Sequence, residues 1–348
     1  MAKTVLVTGV SRYLGGLVAR RLAADTSIDA VIGVDVIPPP HDLGRTDFVR
    51  ADIRNPMIGK VMAEAGVDTV VHMNVIATPT FVGGRTPQKE INVIGTMQLL
   101  AACQKSPTVQ RLVVKSSAAV YGSTPRDPAM FSEDMSAKRL PSSGFGKDSI
   151  EVEGYVRGFS RRRPDTDILM LRFANIIGPR IRTSMTDYFS LPVIPMPLGY
   201  DARLQFFHED DAVDALVLAT TGSAHGVVNL AGDGVITVSQ AAALTGRPYL
   251  PVPNFATGTI GTLTKRFGLA DFSPDQLDFL AYGRGMDTTR MRTVLGFSPA
   301  YTTRSAFADY AHSLTSPIPS VEALTGAVSS ALGAAASGVT RMRGGRTS

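Results

Sequence analysis

Glycines near the start of the chain have the spacing of a turn that can hold a phosphate group. The segment 9–15 (GVSRYLG) lies between an apolar run, 4–8, and a helical pattern that ends near Ala24. Gly9 can make a sharp turn, and Gly15 lets the helix pack closely against the strand. The start of the helix would then point backbone N–H groups and a positive dipole at a pyrophosphate. The residues predicted to contact this group are Gly9, Arg12, Tyr13, Leu14 and Gly15.

An aspartate at the end of the next predicted strand can complete a dinucleotide site. Asp35 follows the glycine turn by about 20 residues, the distance at which a carboxylate meets the ribose of a dinucleotide. It can accept hydrogen bonds from both ribose hydroxyls and would repel a 2′-phosphate, which favours NAD over NADP. Asp52 follows another short strand and is predicted to meet the adenine amino group, with Ile53 beside it. The cofactor predicted from these residues is NAD(H).

The elements that must position these residues are short β-branched runs that alternate with helical patterns. The runs show little alternation of polar and apolar residues, which is typical of a parallel sheet covered on both faces. The predicted strands are 5–8, 30–36, 68–72, 111–116 and 168–173, and the predicted helices are 14–24, 57–65, 90–104 and 148–163. This order indicates an α/β fold, a doubly wound parallel Rossmann sheet with right-handed crossovers.

The pattern changes after about Asn175, where prolines separate shorter elements and predict a smaller C-terminal substrate lobe. A helix over 212–219 and a strand over 227–230 are predicted to return to the main sheet. The predicted divisions are a Rossmann domain at 1–175 with 205–232 returning to it, a substrate lobe at 176–204 and 233–314, and a tail at 315–348.

The tail is rich in Ala, Gly and Ser and ends in a basic segment, 341–346. Its glycines and serines lower helix propensity, so a frayed or disordered end is expected. The alternative is an amphipathic helix within 320–346 that contacts a membrane or a partner protein.

Composition excludes several classes of protein. The 348 residues are 44% hydrophobic and 19% charged, which fits a compact fold, and the net charge of +5 gives no indication of nucleic acid as a partner. Cys103 is the only cysteine, so an intrachain disulfide or a cysteine zinc site is excluded, and no metal site is expected. The chain lacks a signal-peptide pattern and an apolar run of about 18 residues, so a cytoplasmic location is expected.

Further motifs give the chain a specific resemblance. They are 71–77 (VHMNVIA), 92–96 (NVIGT), 116–122 (SSAAVYG), 171–179 (LRFANIIGP), 205–211 (QFFHEDD), 287–290 (DTTR) and 295–299 (LGFSP). In this order and spacing the chain resembles extended short-chain dehydrogenases/reductases of the NAD-dependent epimerase/dehydratase family, which includes UDP-glucose 4-epimerases. The resemblance runs from Thr8 to about Pro299.

The resemblance implies ligands and an assembly. It implies bound NAD, with Asn74, Asn92 and Ser116 as further cofactor contacts. It implies a nucleotide-sugar or similar substrate, whose diphosphate would meet Asn175, Arg203 and Arg284. It also implies a homodimer in which the 90–104 and 148–163 helices of two copies form a four-helix bundle.

The sequence departs from the family at the catalytic residues. Family members carry Tyr-x-x-x-Lys on the helix after the fifth strand; the tyrosinate exchanges the sugar hydroxyl proton while hydride moves to or from the nicotinamide. The best register places Phe145 and Ser149 at these positions. An alternative register keeps Lys147 as the lysine but puts Ser143 at the tyrosine position. Loss of a positioned acid–base group typically lowers the rate by about 10²–10⁴.

Other residues in the pattern leave alternatives open. The family serine that orients a substrate hydroxyl is retained as Ser117, which can equally bond the backbone at the strand end. Arg12 replaces the family's middle glycine, where it could pair with phosphates or crowd the site. Tyr121 and His208 are weak candidates for a substitute base, each expected in a structural or substrate-edge role.

Two functions therefore stay open. The first is an NAD-dependent enzyme of nucleotide-sugar metabolism with altered catalytic residues. The second is a non-catalytic sensor or scaffold that binds a dinucleotide.

Overall fold

The structure is a computed structural model that describes residues 4–73, 75–77, 83–253 and 274–314. The predicted cofactor contact Asn74 and the predicted tail, 315–348, lie outside the described residues.

Seven parallel strands form the central sheet. Their bounds are β1 (Thr4–Thr8), β2 (Ala30–Asp35), β3 (Asp47–Arg50), β4 (Thr69–His72), β5 (Arg111–Ser117), β6 (Asp167–Phe173) and, after four strands of the second lobe, β11 (Gly226–Leu230). The spatial order is β3-β2-β1-β4-β5-β6-β11. The order reverses direction between β1 and β4, and this switch point is where doubly wound sheets bind ligands.

Helices cover both faces of this sheet because successive strand residues point to opposite sides. Val5 and Val7 pack on the side of α1 (Tyr13–Ala24) and α7 (Glu209–Thr221). Leu6 packs on the other side, which is covered by three helices. These are α2 (Ile58–Glu64), α4 (Thr96–Lys105) and α5 (Gly144–Arg162). The predicted doubly wound Rossmann sheet is confirmed.

Two helices differ from their predicted bounds. The helix predicted at 90–104 begins earlier, with α3 (Arg85–Lys89), and reaches α4 through one wide turn, Glu90–Gly95. The helix predicted at 148–163 begins at Gly144, whose φ of 59° follows an extended Ser143 and turns the chain into α5. Glycine favours this left-handed conformation, so the start of α5 depends on it.

A second hydrophobic core lies beside the sheet. Its centre contains Phe189, Phe206 and Phe307, whose rings meet edge-on or tilted. The elements around it are β7 (Asn175–Ile177), α6 (Ser184–Phe189), β8 (Ile194–Pro197), β9 (Arg203–Leu204), β10 (Phe206–His208), β12 (Ile236–Thr237), α8 (Val238–Leu244), β13 (Tyr249–Val252), α9 (Pro274–Tyr282) and α11 (Thr303–Ser313). Helix α10 (Thr289–Thr293) instead packs its Met291 into the core of the main sheet. Strand β10 leads into α7, so the chain returns from this lobe to the sheet and ends it at β11.

In the described ranges, no helix has the length and apolar character needed to cross a bilayer. In the same ranges, no cluster of three or more His, Cys, Asp or Glu side chains could hold a metal ion.

Candidate cofactor and substrate cleft

A cavity of about 500 Å³ opens at the carboxyl ends of β1, β4, β5 and β6. One end is formed by the turn between β1 and α1. The middle contains Ser117 and Phe145, and the far end reaches Asn175 and Arg284 beside α9. The cleft therefore joins the predicted cofactor turn, the degenerate catalytic positions and part of the predicted substrate site.

The turn between β1 and α1 is built as a phosphate-binding turn. Gly9 has a φ of 79°, and its N–H donates to Val34 O at 2.9 Å. A Cβ on Gly15 would lie 2.2 Å from Gly9 O, so this close approach requires glycine. Helix α1 has no side-chain cap at Arg12 and no acidic residue in its first turn. Its first backbone N–H groups therefore remain available to an anion in the cavity.

Arg12 lines the cavity beside the glycine turn. Its Nε is buried, and no hydrogen-bond partner for it occurs in the part of the chain that the structure describes. Burial lowers the pKa of Arg12, and Asp35 opposes this effect. A buried N–H without a hydrogen-bond partner is unfavourable, so this position is suited to receive an anion.

Lys115 is a second cation in the cavity and was not singled out from the sequence. Its Nζ lies 3.4 Å from Val75 O, and burial together with Arg12 lowers the pKa of Lys115 to about 8. The signal was present, since lysine is rarely buried and this one interrupts the strand run 111–117 (RLVVKSS). The resemblance drew attention instead to the serines that follow it.

Asp35 anchors the turn. Its Oδ2 accepts hydrogen bonds from Ser11 N at 3.1 Å and from Ser11 Oγ, and its Oδ1 accepts from Val36 N at 2.8 Å. The carboxylate is buried at the tip of β2, one strand away from β1. It therefore links the turn to the side of the sheet where the adenosine half of a dinucleotide is predicted to bind.

Asp52 and Ile53 occupy the same side and have protein partners of their own. Arg54 bonds both oxygens of Asp52, with Nε at 3.0 Å and Nη2 at 2.7 Å, and these bonds lower the pKa of Asp52. Ile53 is buried, and a Cβ on Gly95 would lie 2.7 Å from its Cδ1. Neither residue lines the cavity.

The degenerate catalytic positions lie on the first turns of α5. Phe145 lines the cavity, while Ser149 is buried and its Oγ donates to Phe145 O at 2.9 Å. Lys147 is exposed, as expected from the angle of about 200° that separates it from Ser149 around a helix. Ser143 Oγ donates to Asp275 Oδ2 at 3.2 Å. Neither register therefore puts a tyrosine–lysine pair at the wall.

Ser117 lines the cavity near Phe145. Its Oγ accepts a hydrogen bond from Ala119 N at 3.1 Å and so caps the short helical turn that follows β5. The hydroxyl hydrogen remains able to donate to a ligand, because this bond uses only an oxygen lone pair.

Ser116 and Tyr121 belong to a buried polar network. Ser116 Oγ donates to Glu153 Oε1 at 2.7 Å, and Arg172 bonds both Glu153 oxygens at 2.9 and 2.7 Å. Arg172 Nη1 also donates to Tyr121 OH at 2.7 Å, and this hydroxyl donates to Asn229 Oδ1 at 2.8 Å. Burial raises the pKa of Tyr121, and its side chain is not part of the cavity lining. These contacts give Tyr121 a structural role.

His208 joins β10 to α7 away from the cavity. Its Nδ1 accepts from Asp210 N at 3.2 Å, its Nε2 lies 3.0 Å from Asp309 Oδ2, and its ring stacks on Tyr301 at 3.7 Å. The ring therefore serves as a helix cap and a packing surface.

Asn92 and Arg203 also lie outside the cavity lining. The side-chain amide of Asn92 holds the loop after β4, accepting from Ile76 N at 2.7 Å and donating to Ile76 O at 2.9 Å. Arg203 is exposed, and its backbone O accepts from Arg284 N at 3.1 Å.

Arg284 is held at the far end of the cavity. Its Nε donates to Gly122 O at 2.7 Å and its Nη2 to Ser123 Oγ at 3.1 Å. Burial lowers the pKa of Arg284 to about 10. Cationic side chains also line other parts of the cavity, and the described lining contains one carboxylate, Asp275. The cations are Arg12, Lys115, Arg180, Arg182 and Arg284. The cleft therefore favours anionic ligands.

Comparison with known proteins agrees with this geometry. The model of the NAD dependent epimerase/dehydratase family matches residues 5–231. An uncharacterised protein of Mycobacterium tuberculosis is 48% identical over 312 residues, covering 88% of this chain and 83% of that protein. A UDP-glucose 4-epimerase of Mycolicibacterium smegmatis is 27% identical over 313 residues, covering 84% of this chain and 93% of the epimerase.

Solved structures share the fold. The UDP-glucose 4-epimerase of Thermotoga maritima, solved with UDP-glucose, has a TM-score of 0.69 at 19% identity and covers 89% of this chain and 98% of its own. The UDP-glucuronic acid 4-epimerase of Bacillus cereus, solved with UDP-glucuronic acid and NAD, has a TM-score of 0.67 at 20% identity. This match covers 90% of this chain and 100% of the epimerase chain. The family match and the shared fold confirm the resemblance, and the chain belongs to the NAD-dependent epimerase/dehydratase family.

Proposed function

We propose that the chain binds NAD(H) and a nucleoside-diphosphate sugar together in this cleft, without the tyrosine-dependent hydride transfer of its family. The observation that carries the proposal is Phe145 in the wall of a cavity that otherwise runs from the glycine turn to Arg284. Binding of both ligands needs a continuous cavity, which is present. The usual chemistry of the family also needs a proton-transfer group at position 145, and phenylalanine has none.

The residues present fit a dinucleotide. The N–H groups at the start of α1 and Arg12, whose Nε has no hydrogen-bond partner among the described residues, would hold the diphosphate, and Asp35 would meet the adenosine ribose. A negative Asp35 favours NAD over NADP, because it repels a 2′-phosphate. Bound NAD would supply a hydride acceptor, and NADH a hydride donor.

The far end of the cleft fits a second diphosphate. Arg284 and Asn175 line it, and the half-buried guanidinium of Arg284 is fixed by two hydrogen bonds to the 122–123 segment. A fixed cation loses little entropy when it binds a phosphate. The structural relatives of Thermotoga maritima and Bacillus cereus were solved with UDP-sugars, which supports this substrate class.

The chain's own residues determine what chemistry is available to such a sugar. Ser117 can donate a hydrogen bond to a substrate hydroxyl, but a serine hydroxyl does not ionise near neutral pH. Phe145 cannot take the proton, and Ser149 offers no positive charge and bonds its own helix. The site can therefore orient a sugar without the acid–base step that accounts for about 10²–10⁴ in rate.

A single purified sample tests the proposal. Isothermal titration calorimetry should detect binding of NAD⁺ or NADH. Incubation with UDP-glucose, UDP-galactose and related sugars should give no epimer and no reduced-nicotinamide absorbance at ordinary enzymatic rates, about 1–10³ s⁻¹. Turnover in that range would overturn the non-catalytic half of the proposal, and absence of dinucleotide affinity would overturn the binding half.

A paired restoration experiment sharpens the test. Phe145→Tyr combined with Ser149→Lys restores the family dyad and should raise turnover by about 10²–10⁴ over the wild type. The matched control, Phe145→Tyr with Ser149→Ala, restores the hydroxyl without the cation and should gain much less. Circular dichroism and calorimetry with NAD⁺ would establish that each variant folds and binds.

A further inference from the structure

Two cations from different elements face the same cavity. Lys115 comes from the carboxyl end of β5, and Arg12 comes from the turn before α1. Within the described ranges, the Lys115 ammonium has one hydrogen-bond contact, the long 3.4 Å approach to Val75 O, and the Arg12 Nε has none. Arg12 is close enough to Lys115 to add to the effect of burial in lowering the pKa of Lys115.

The sheet order tells which half of a dinucleotide each cation would face. A dinucleotide crosses the switch point between β1 and β4, with its diphosphate at the glycine turn. Asp35 on β2 marks the adenosine side, so the nicotinamide half extends over β4 and β5. Arg12 therefore lies at the diphosphate, and Lys115 lies on the nicotinamide side. Ser117, two residues further along the same strand face, lines the same cavity.

The two redox forms of the cofactor differ in the charge of the nicotinamide ring. The nicotinamide ring of NAD⁺ carries a positive charge, and the dihydronicotinamide ring of NADH is neutral, whereas the diphosphate charge is the same in both. An ammonium that faces the cavity repels the cationic ring and leaves the neutral ring unaffected. The nearby diphosphate attracts the ammonium, but it does so to the same extent in NAD⁺ and in NADH.

We propose that Lys115 makes this cleft bind NADH more tightly than NAD⁺, so that the protein distinguishes the redox state of the dinucleotide. This inference rests on the proposed function and names a regulation of the same site. With an effective protein dielectric constant of about 20, an ammonium within several ångströms of the ring changes relative affinity roughly tenfold or more.

Calorimetry with both dinucleotides at pH 7 tests the proposal. The wild type should bind NADH with a dissociation constant at least about tenfold below that for NAD⁺. Lys115→Met should bring the ratio close to one, and Lys115→Arg should keep it. Lys147→Met removes an exposed lysine outside the cavity and should leave the ratio unchanged. Arg12→Gly should shift both constants by about the same factor, because Arg12 faces the diphosphate.

Raising the pH gives a second, independent readout. The charged group that acts on Lys115 is Arg12 from the turn, and Lys115 itself acts on His72 from β4, whose pKa of about 4 leaves its ring neutral between pH 7 and pH 9. Lys115 loses its proton as the pH passes about 8, so the preference for NADH should decline between pH 7 and pH 9. In Lys115→Arg the guanidinium stays charged, and the preference should persist at pH 9.

The outcomes separate the two proposals. If neither dinucleotide binds, the proposed function fails. If both bind with equal affinity in the wild type, or if Lys115→Met retains the full preference, the role of Lys115 is overturned while the proposed function stands. A preference for NAD⁺ would also overturn it.

Discussion

At the scale of single residues, His72 shows how the site's surroundings hold a titratable group neutral. Its Nδ1 lies 3.0 Å from Thr8 Oγ1 and its Nε2 lies 2.8 Å from Thr96 Oγ1, so the ring ties β1 and β4 to α4. Burial, and to a smaller extent Lys115, lowers the pKa of His72 to about 4. Because the positive charge of Lys115 in the cavity opposes a second positive charge nearby, the His72 ring stays neutral between its two hydroxyl partners.

His72 predicts a pH dependence of stability. The unfolded chain binds a proton at His72 below about pH 6.5, while the folded chain resists it until about pH 4. Unfolding therefore becomes more favourable as the pH falls through this window, and His72 should account for about 2 kcal/mol of lost stability between pH 7 and pH 5. Urea denaturation of the wild type and of His72→Gln at both pH values measures this.

The variant supplies its own comparison. His72→Gln has no group titrating in this window at position 72, so its loss of stability between pH 7 and pH 5 should be smaller by about the same amount. An identical pH dependence in the two proteins would show that His72 is not the titrating group.

At the scale of elements, two features hold the cleft in shape. Helix α5 carries the degenerate catalytic positions, and its buried Asp148 accepts hydrogen bonds from Arg85 at 2.5 Å to each oxygen and from Asn92 Nδ2 at 3.2 Å. These bonds fix the start of α5 against α3 and the helical turn that follows it. The second feature is the turn between β1 and α1, where backbone meets backbone at Gly15.

Gly15→Ala should damage that turn. The added Cβ would lie 2.2 Å from Gly9 O, a backbone atom that cannot move without displacing the turn. The variant should lose dinucleotide affinity by at least about tenfold, because the N–H groups of α1 no longer point at the diphosphate. Calorimetry with NAD⁺ and NADH measures the loss.

Gly154→Ala is the matched control for this change. Gly154 lies in the middle of α5, where a Cβ would meet nothing within 4 Å. Alanine should therefore stabilise the protein by about 0.5–1 kcal/mol and leave binding intact. Unchanged affinity in Gly15→Ala would mean that the turn does not hold the ligand.

At the scale of the whole molecule, exposed apolar side chains on α4, on α5 and just before α4 could form the interface of the homodimer that the resemblance implies. Ile94 precedes α4 and is 43% exposed, while Met97 on α4 and Tyr155 on α5 are each 39% exposed. These helices pack against each other in one chain, so a second copy could add two more helices to form a four-helix bundle. We expect a homodimer through this face.

Met97→Asp tests the dimer. A buried, unpaired carboxylate at the centre of the interface should shift the protein to monomers, as measured by sedimentation velocity. Met57→Asp changes a methionine that is 53% exposed beside α2 and should leave the dimer intact. A monomeric wild type would contradict the assembly, and a dimeric Met97→Asp variant would place the interface elsewhere.

Much of the architecture could be predicted from local patterns in the sequence, because strands, turns and helices depend on residues that are close together in the chain. The unbroken apolar runs of β1 and β2 predicted buried parallel strands, and the glycine turn between β1 and α1 follows from the conformations that Gly9 and Gly15 permit. The replacement of the dyad by Phe145 and Ser149 stays a prediction from the sequence, and the structure shows both residues on the one helix that the prediction requires.

Contacts between distant parts of the chain were decided only by the tertiary structure. The side chains of Tyr121 and His208 are committed to partners as remote as Asn229 and Asp309. Lys115 and Arg12 share a cavity because β4 pairs with both β1 and β5 and so brings the ends of these two strands near each other, which no local pattern expresses. Burial of a charge depends on everything that packs around it, and so the electrostatic character of this cleft emerged only from the folded chain.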